Sequence, residues 1–149
     1  MQEALTLCLE RTIPHPPAAV YAAWTRSDML KAWFRMAPGD RLLHAIAEPK
    51  PGGPFHFHLH RQNGMDVHYR GLYEEVQAEK RLCFSWPAYG KVDFPTRVEV
   101  DFAADEQACL LILLHDGLRD SKMQKDYRQG WSYCLDSLEK ELPGILQRH

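Results

Sequence analysis

No stretch of this 149-residue sequence approaches the roughly 18 consecutive apolar residues that a membrane-spanning helix needs. Neither sign of charge dominates. The 18 Lys and Arg nearly match the 20 Asp and Glu, and the formal net charge is −2. Acids and bases are interspersed, with no charged tail. This balance leaves no footprint for nucleic acid or for an anionic membrane, so neither is expected as a partner. The four cysteines, Cys8, Cys83, Cys109 and Cys134, form no C-x-x-C pair. Each lies in an apolar or alternating stretch and reads as a small buried hydrophobe. That usage fits a reducing cytoplasm and argues against a disulfide framework. The N-terminus alternates from residue 4 onward and lacks the uninterrupted apolar core of a signal peptide, so a cytoplasmic location is expected.

Catalytic signatures are also scarce. Gly52-Gly53 is followed by a strand pattern and lacks the spacing of a phosphate-binding loop, so it reads as a tight turn. No Ser or Cys stands in a recognisable nucleophile setting. His115-Asp116 and His15 lie at the ends of predicted elements and read as strand-end or helix-start polarity. Asp66, Glu74 and Glu75 are potential cavity-rim acids, but nothing pairs them at a required spacing. No internal repeat or low-complexity segment is present.

What the sequence does contain is period. Leu5, Leu7 and Leu9 alternate with polar residues and predict a first strand to about Ile13. Pro14, Pro16 and Pro17 end it. Two short helices with aromatic faces follow, carrying Val20, Tyr21 and Trp24, then Leu30, Trp33 and Phe34. From Leu42 the period is mostly two. Strands are expected at 42–47, 55–60, 67–76, 82–86, 98–102 and 109–114, and Gly71 reads as a bulge. Asn63-Gly64 predicts a two-residue hairpin that pairs Leu59 with His68 and His60 with Val67. Residues 109–114 are apolar on both faces, as expected of a strand that is central or covered on both sides. The last element is a helix of about 22 residues, from Ser121 to Leu142. Tyr127, Trp131, Cys134, Leu135, Leu138 and Leu142 form its apolar stripe. Ser121 and Gln124 read as its capping box and Pro143-Gly144 as its stop. Gly130 costs a helix about 0.5–1 kcal/mol relative to Ala, which implies that something approaches the backbone there.

The order is strand, two short helices, about six further strands in sequential hairpins and one long helix. It predicts a single α+β domain over 1–149, with a curved antiparallel sheet packed against the last helix. A gap between them, beside the aromatic helices, is the natural place for a cavity.

Five segments in order resemble one known family. They are RTIPHPPAAVYAAWT (11–25), LKAW (30–33), EPKPGGPFHF (48–57), RGLYEEV (70–76) and LCFSW (82–86), completed by Gly130-Trp131. Together they resemble the activator of heat-shock-protein-90 ATPase homologue-like family, within the START-like (SRPBCC, Bet v-like) helix-grip superfamily. The departures are His15 for Ala, Glu48 for Asp and Lys50 for Arg. The resemblance implies a helix-grip fold. It supplies no catalytic motif to carry over, and a shared fold does not set function.

The functional expectation is therefore a hydrophobic small molecule held between the sheet and the last helix. Its expected walls are Tyr21, Trp24, Trp33, Phe34, Phe55, Phe57, Phe84, Trp86, Val98, Val100, Trp131 and Cys134, with Phe102 beside them. The alternatives are a chaperone-interacting, co-chaperone-like domain and a polyketide-cyclase-like cavity enzyme. No cofactor is called for. The alternating His56, His58 and His60 invite a metal reading. The expected hairpin register, however, puts His68 on the opposite face and leaves no third ligand, so the three read as a solvated face or a contact with a second copy of the chain.

Overall fold

The structure, a computed structural model, describes residues 4–148. Strand β1 spans Leu5–Ile13, and helices α1 (Pro17–Thr25) and α2 (Ser27–Trp33) follow. Six strands come next: β2 (Arg41–Ala47), β3 (Pro54–His60), β4 (Asp66–Gln77), β5 (Arg81–Pro87), β6 (Pro95–Asp105) and β7 (Ala108–Leu118). Helix α3 (Ser121–Arg148) closes the order. The strands form one antiparallel sheet in the order β1-β7-β6-β5-β4-β3-β2. The first and second strands thus occupy opposite edges, and α1 and α2 carry the chain between them. Helix α1 packs on β6 and β7, α2 on β2 and α3, and α3 on β1 and β7. The curved sheet and the long helix make the helix-grip α+β arrangement.

The core lies between the sheet and α3. Tyr127, Trp131, Cys134, Leu135, Leu138 and Leu142 are all buried, as the 3.6-residue period requires. No helix among the described residues is long and apolar enough to cross a membrane.

Several local expectations are corrected. Helix α3 does not stop at Pro143-Gly144 but continues to Arg148. Pro143 lies on the exposed side, while Ile145 extends the buried stripe by one turn. Tertiary packing therefore outweighs the hydrogen bond that proline removes. The cap sits one residue earlier than Ser121: Asp120 Oδ1 accepts the Met123 N–H at 2.9 Å. Gln124 donates instead to the Thr6 carbonyl at 2.7 Å.

Gly71 is not a bulge. It pairs in register with Phe55, and the β4–β5 irregularity falls between Tyr73 and Glu75. Strand β7 buries Cys109, Leu111 and Leu113 on one face, while Leu110, Ile112 and Leu114 on the other are half-buried. Cys83, Cys109 and Cys134 are buried, but Cys8 is exposed, because β1 is an edge strand and its neighbour Leu7 takes the inward position.

The β3–β4 turn changes a register. Residues 61–65 form its loop, closed by the Arg61 N–H to the Met65 carbonyl at 2.8 Å. The Asn63 side chain accepts the Met65 N–H at 2.9 Å, and Gly64 takes a φ of 86°. Leu59 therefore pairs with Val67 and His58 with His68, one residue away from the two-residue hairpin. In a strand, a one-residue slip reverses every facing relationship.

Candidate functional site

The predicted wall residues divide into two groups. Trp24, Phe34, Phe55, Phe57, Phe84, Trp86 and Trp131 meet in an aromatic box completed by Tyr73 and Leu82. Tyr21, Trp33, Val98, Val100 and Cys134 do not line it. Tyr21 is half-buried edge-on to Phe102 at 5.5 Å, and Trp33 donates its indole N–H to the Ala23 carbonyl at 2.9 Å. Val98, Val100 and Cys134 are fully buried. The rings of the box pack face and edge: Phe55 on Trp86 at 6.0 Å, Phe34 on Phe57 at 5.1 Å and Trp86 on Trp131 at 5.3 Å. They leave an internal space of about 10 Å³, about one water in size. Trp24, one of its walls, buries its indole Nε1 without a hydrogen-bond partner. Such an orphan donor costs about 1–3 kcal/mol.

A larger space opens beside the box. A cleft of about 330 Å³ lies between α3 and the end of the β3–β4 hairpin. Arg61, Tyr69, Tyr89, Tyr127, Gly130 and Tyr133 are among its walls, and none of the twelve predicted residues lines it. Tyr69 and Tyr127 separate cleft from box. The Tyr69 ring lines the cleft on one side and stacks on Trp86 on the other. The Tyr127 hydroxyl accepts the Tyr89 backbone N–H at 2.8 Å and the Trp86 indole N–H at 3.3 Å. Burial pushes both phenols above their ordinary range, so both stay protonated at neutral pH.

Backbone geometry holds the rim. Tyr89 is a non-glycine residue at φ 57°, a conformation side chains rarely adopt. Its hydroxyl donates to Asp126 Oδ2 at 2.9 Å, and Lys122 binds the same oxygen at 2.9 Å. Arg61 reaches the buried Asp40 at 3.1 Å, and Asp40 also accepts the backbone N–H groups of Met36 and Ala37 at 3.0 Å each. This cation is therefore already partnered, and the cleft wall mixes four tyrosine side chains with polar groups of Arg61, Asp126 and Gln129.

Sequence reasoning missed the cleft but marked one of its walls. The methyl group of Met36 lies 3.0 Å from where a β-carbon would stand on Gly130. That is the close approach implied by a glycine inside the last helix.

His115 is corrected outright. It is fully buried, not strand-end polarity, because the inward alternation of β7 continues through 109, 111 and 113 to 115. Its Nδ1 accepts the Trp131 indole N–H at 3.0 Å and its Nε2 faces Thr96 Oγ1 at 2.7 Å. Thr96 donates to the Trp86 carbonyl, so the network requires a neutral imidazole protonated on Nε2. Burial pushes its pKa down to about 3.

The acids proposed for a cavity rim lie elsewhere. Glu74 pairs with Arg97, Glu75 with Arg81, and Asp66 with two histidines. The histidine row faces outward, and the slipped register brings His68 onto the same face.

A family model described as activator of Hsp90 ATPase homolog 1-like protein matches residues 14–143. The chain belongs to that family. Three solved structures show how widely its fold recurs. Protein NE0264 from Nitrosomonas europaea is 21% identical, with a TM-score of 0.79 over 95% of this chain and 96% of that one. An AHSA1-like protein from Aeromonas hydrophila is 21% identical, with a TM-score of 0.80 over 95% and 94%. A protein of unknown function, SA2116 from Staphylococcus aureus, is 20% identical, with a TM-score of 0.74 over 97% of both chains. At these identities the likeness concerns the fold alone. No functionally curated protein matches the sequence significantly.

Proposed function

We propose that this family member binds a small hydrophobic molecule between the sheet and α3. The ligand enters through the cleft over Tyr69 and Tyr127, and its apolar end extends toward the aromatic box. The observation that carries this reading is the 330 Å³ cleft separated from the box by the Tyr69 ring. Its volume falls at the low end of the range for small-molecule sites. The orphan Trp24 N–H supports the same reading, because a ligand carrying a hydrogen-bond acceptor would satisfy it. Rotation of Tyr69 away from Trp86 would join the two spaces and bring Trp24, Phe34, Phe55, Phe57, Phe84, Trp86 and Trp131 into contact with ligand. We place the protein in the cytoplasm, where the buried thiols of Cys83, Cys109 and Cys134 would remain reduced.

The test is native mass spectrometry of freshly purified protein, followed by titration with a fluorescent hydrophobic probe. A retained small apolar mass, or saturable probe binding that Tyr69→Trp weakens, is the expected result. A bare chain that binds no probe would overturn the proposal. The family description favours a second reading, stimulation of a chaperone ATPase. Turnover of the purified chaperone with and without this chain separates the two.

A further inference from the structure

The outward face of β2, β3 and β4 carries a cluster that the ligand cleft does not use. His44, His56, His58, His60 and His68 lie there with Asp66. The sequence alone argued against a metal because a two-residue hairpin sends His68 to the other face. The five-residue loop at 61–65 removes that objection and also sets Asp66 directly opposite His60.

We propose that His58, His60 and Asp66 form a surface site for one divalent transition-metal ion of the zinc type, with solvent completing the coordination. His58 Nε2 and His60 Nδ1 converge on a single atom, Asp66 Oδ1, each at 2.9 Å. Two imidazoles from alternate residues of one strand and a carboxylate from the next make a three-ligand set with an open position, suited to zinc or a neighbouring metal. Among the described residues no group of three such side chains stands at metal-holding spacing as it is. Ligands at about 2.0–2.1 Å around a tetrahedral metal are about 3.3 Å from one another, so each N···O separation must widen by roughly 0.4 Å. The half-exposed Asp66 carboxylate must swing aside and leave the metal near the point on which the two imidazoles now converge. The two N–H groups that now point at Asp66 give way to lone pairs when each ring carries its proton on the other nitrogen, and the cation replaces two bridging protons.

The surroundings select this end of the row. The His58 ring stacks on His68 at 4.3 Å, 20° from parallel, which fixes its plane. His68 is in turn held by His56 at 2.9 Å. His56 is paired across the strands with Arg70, whose charge disfavours a cation there. His58 and His60 instead face the Asp66 carboxylate.

The experiment is equilibrium dialysis of the untagged full chain against micromolar Zn²⁺, with stoichiometry read by native mass spectrometry. One zinc per chain is expected. Binding should weaken at least tenfold in His58→Ala, His60→Ala and Asp66→Ala, and less than threefold in His44→Ala and His15→Ala. These side chains are outside the core, and circular dichroism checks that each variant is folded. Zinc should also raise the melting temperature of the parent chain and leave that of Asp66→Ala unchanged. Absence of binding at these concentrations would overturn the proposal. So would equal losses in His44→Ala, which would indicate diffuse attraction to a histidine-rich surface.

Discussion

Tyr69 lies flat on Trp86, with ring centroids 4.2 Å apart and planes 17° from parallel. One tyrosine ring thus forms both the floor of the open cleft and the lid of the aromatic box. Truncation should act on both. Tyr69→Ala is expected to destabilise the fold by about 3–5 kcal/mol, the usual cost of removing a buried aromatic ring, and to join the two spaces. Urea unfolding measures the first effect, and uptake of a hydrophobic probe at a concentration where the variant is folded measures the second. A loss below about 1 kcal/mol would mean that the ring is not packed as described.

Trp131 carries a related expectation from the helix side. It is fully buried, touches Trp24, Phe34 and Trp86, and donates to His115. Trp131→Ala should cost about 3–5 kcal/mol, and Trp131→Phe less, since it keeps ring contact but loses the indole donor. Equal losses in the two variants would show that the hydrogen bond to His115, not the packing, dominates.

His115 should make stability depend on acid. Its imidazole titrates near about 3 in the folded chain and near about 6.5 once unfolded. About one unit or more above pH 6.5 neither state binds the proton appreciably, and the full contribution is present. Between the two values the unfolded state binds it and the folded state does not. Stability therefore falls with pH, by about 1.4 kcal/mol per unit for this one group. From pH 6.5 to 5 the loss is about 1.6 kcal/mol, because the unfolded imidazole is already half protonated at the upper end. Burial and Arg70 also depress His56 and His68, which tilts the curve the same way. His115→Gln isolates the buried group. It should lower stability at pH 7 and reduce the slope between pH 5 and 6.5, as read from urea midpoints at each pH.

Two glycines should respond in opposite directions to alanine. At Gly71 a β-carbon would stand 2.5 Å from the Phe55 ring and 2.7 Å from the Ser85 carbonyl oxygen. Ring and backbone are both fixed by the sheet, so Gly71→Ala should destabilise by more than about 2 kcal/mol. At Gly130 the nearest atom is the flexible tip of Met36 at 3.0 Å, which can shift by a few tenths of an ångström. Helix propensity then favours alanine by about 0.5–1 kcal/mol. Gly130→Ala should match or exceed the parent in stability while narrowing the cleft that Gly130 lines, so probe binding weakens without unfolding. Thermal melts and probe titration on the same samples test both halves.

Much of the fold was legible because period survives in sequence. The alternation through Leu5–Leu9 and the stripe from Tyr127 to Leu142 each assign an element and its inner face without reference to any partner. The aromatic load of α1 and α2 likewise marked the core. The candidate site was less legible. Seven of the aromatic residues expected to line a cavity do meet, yet they nearly fill the space between them. The open cleft is lined by Arg61, Tyr69, Tyr89 and Gly130, which come together from separate parts of the chain and share no local period.

By itself, the sequence determined the order of elements, the antiparallel sheet, the buried stripe of the last helix and the family. The elements, the sheet and the stripe follow from local spacing, and the family from the segments that resemble it, with no knowledge of distant contacts needed. Only the tertiary structure decided the register of the β3–β4 hairpin, the continuation of α3 through Pro143, the burial of His115 and the position of the cleft. Each depends on a balance between a local preference and packing against residues far away in the chain. Hairpin register shows the consequence most directly. The side chain of Asn63 and the left-handed backbone of Gly64 set a five-residue loop, and that single-residue shift moved His68 from one face of the sheet to the other.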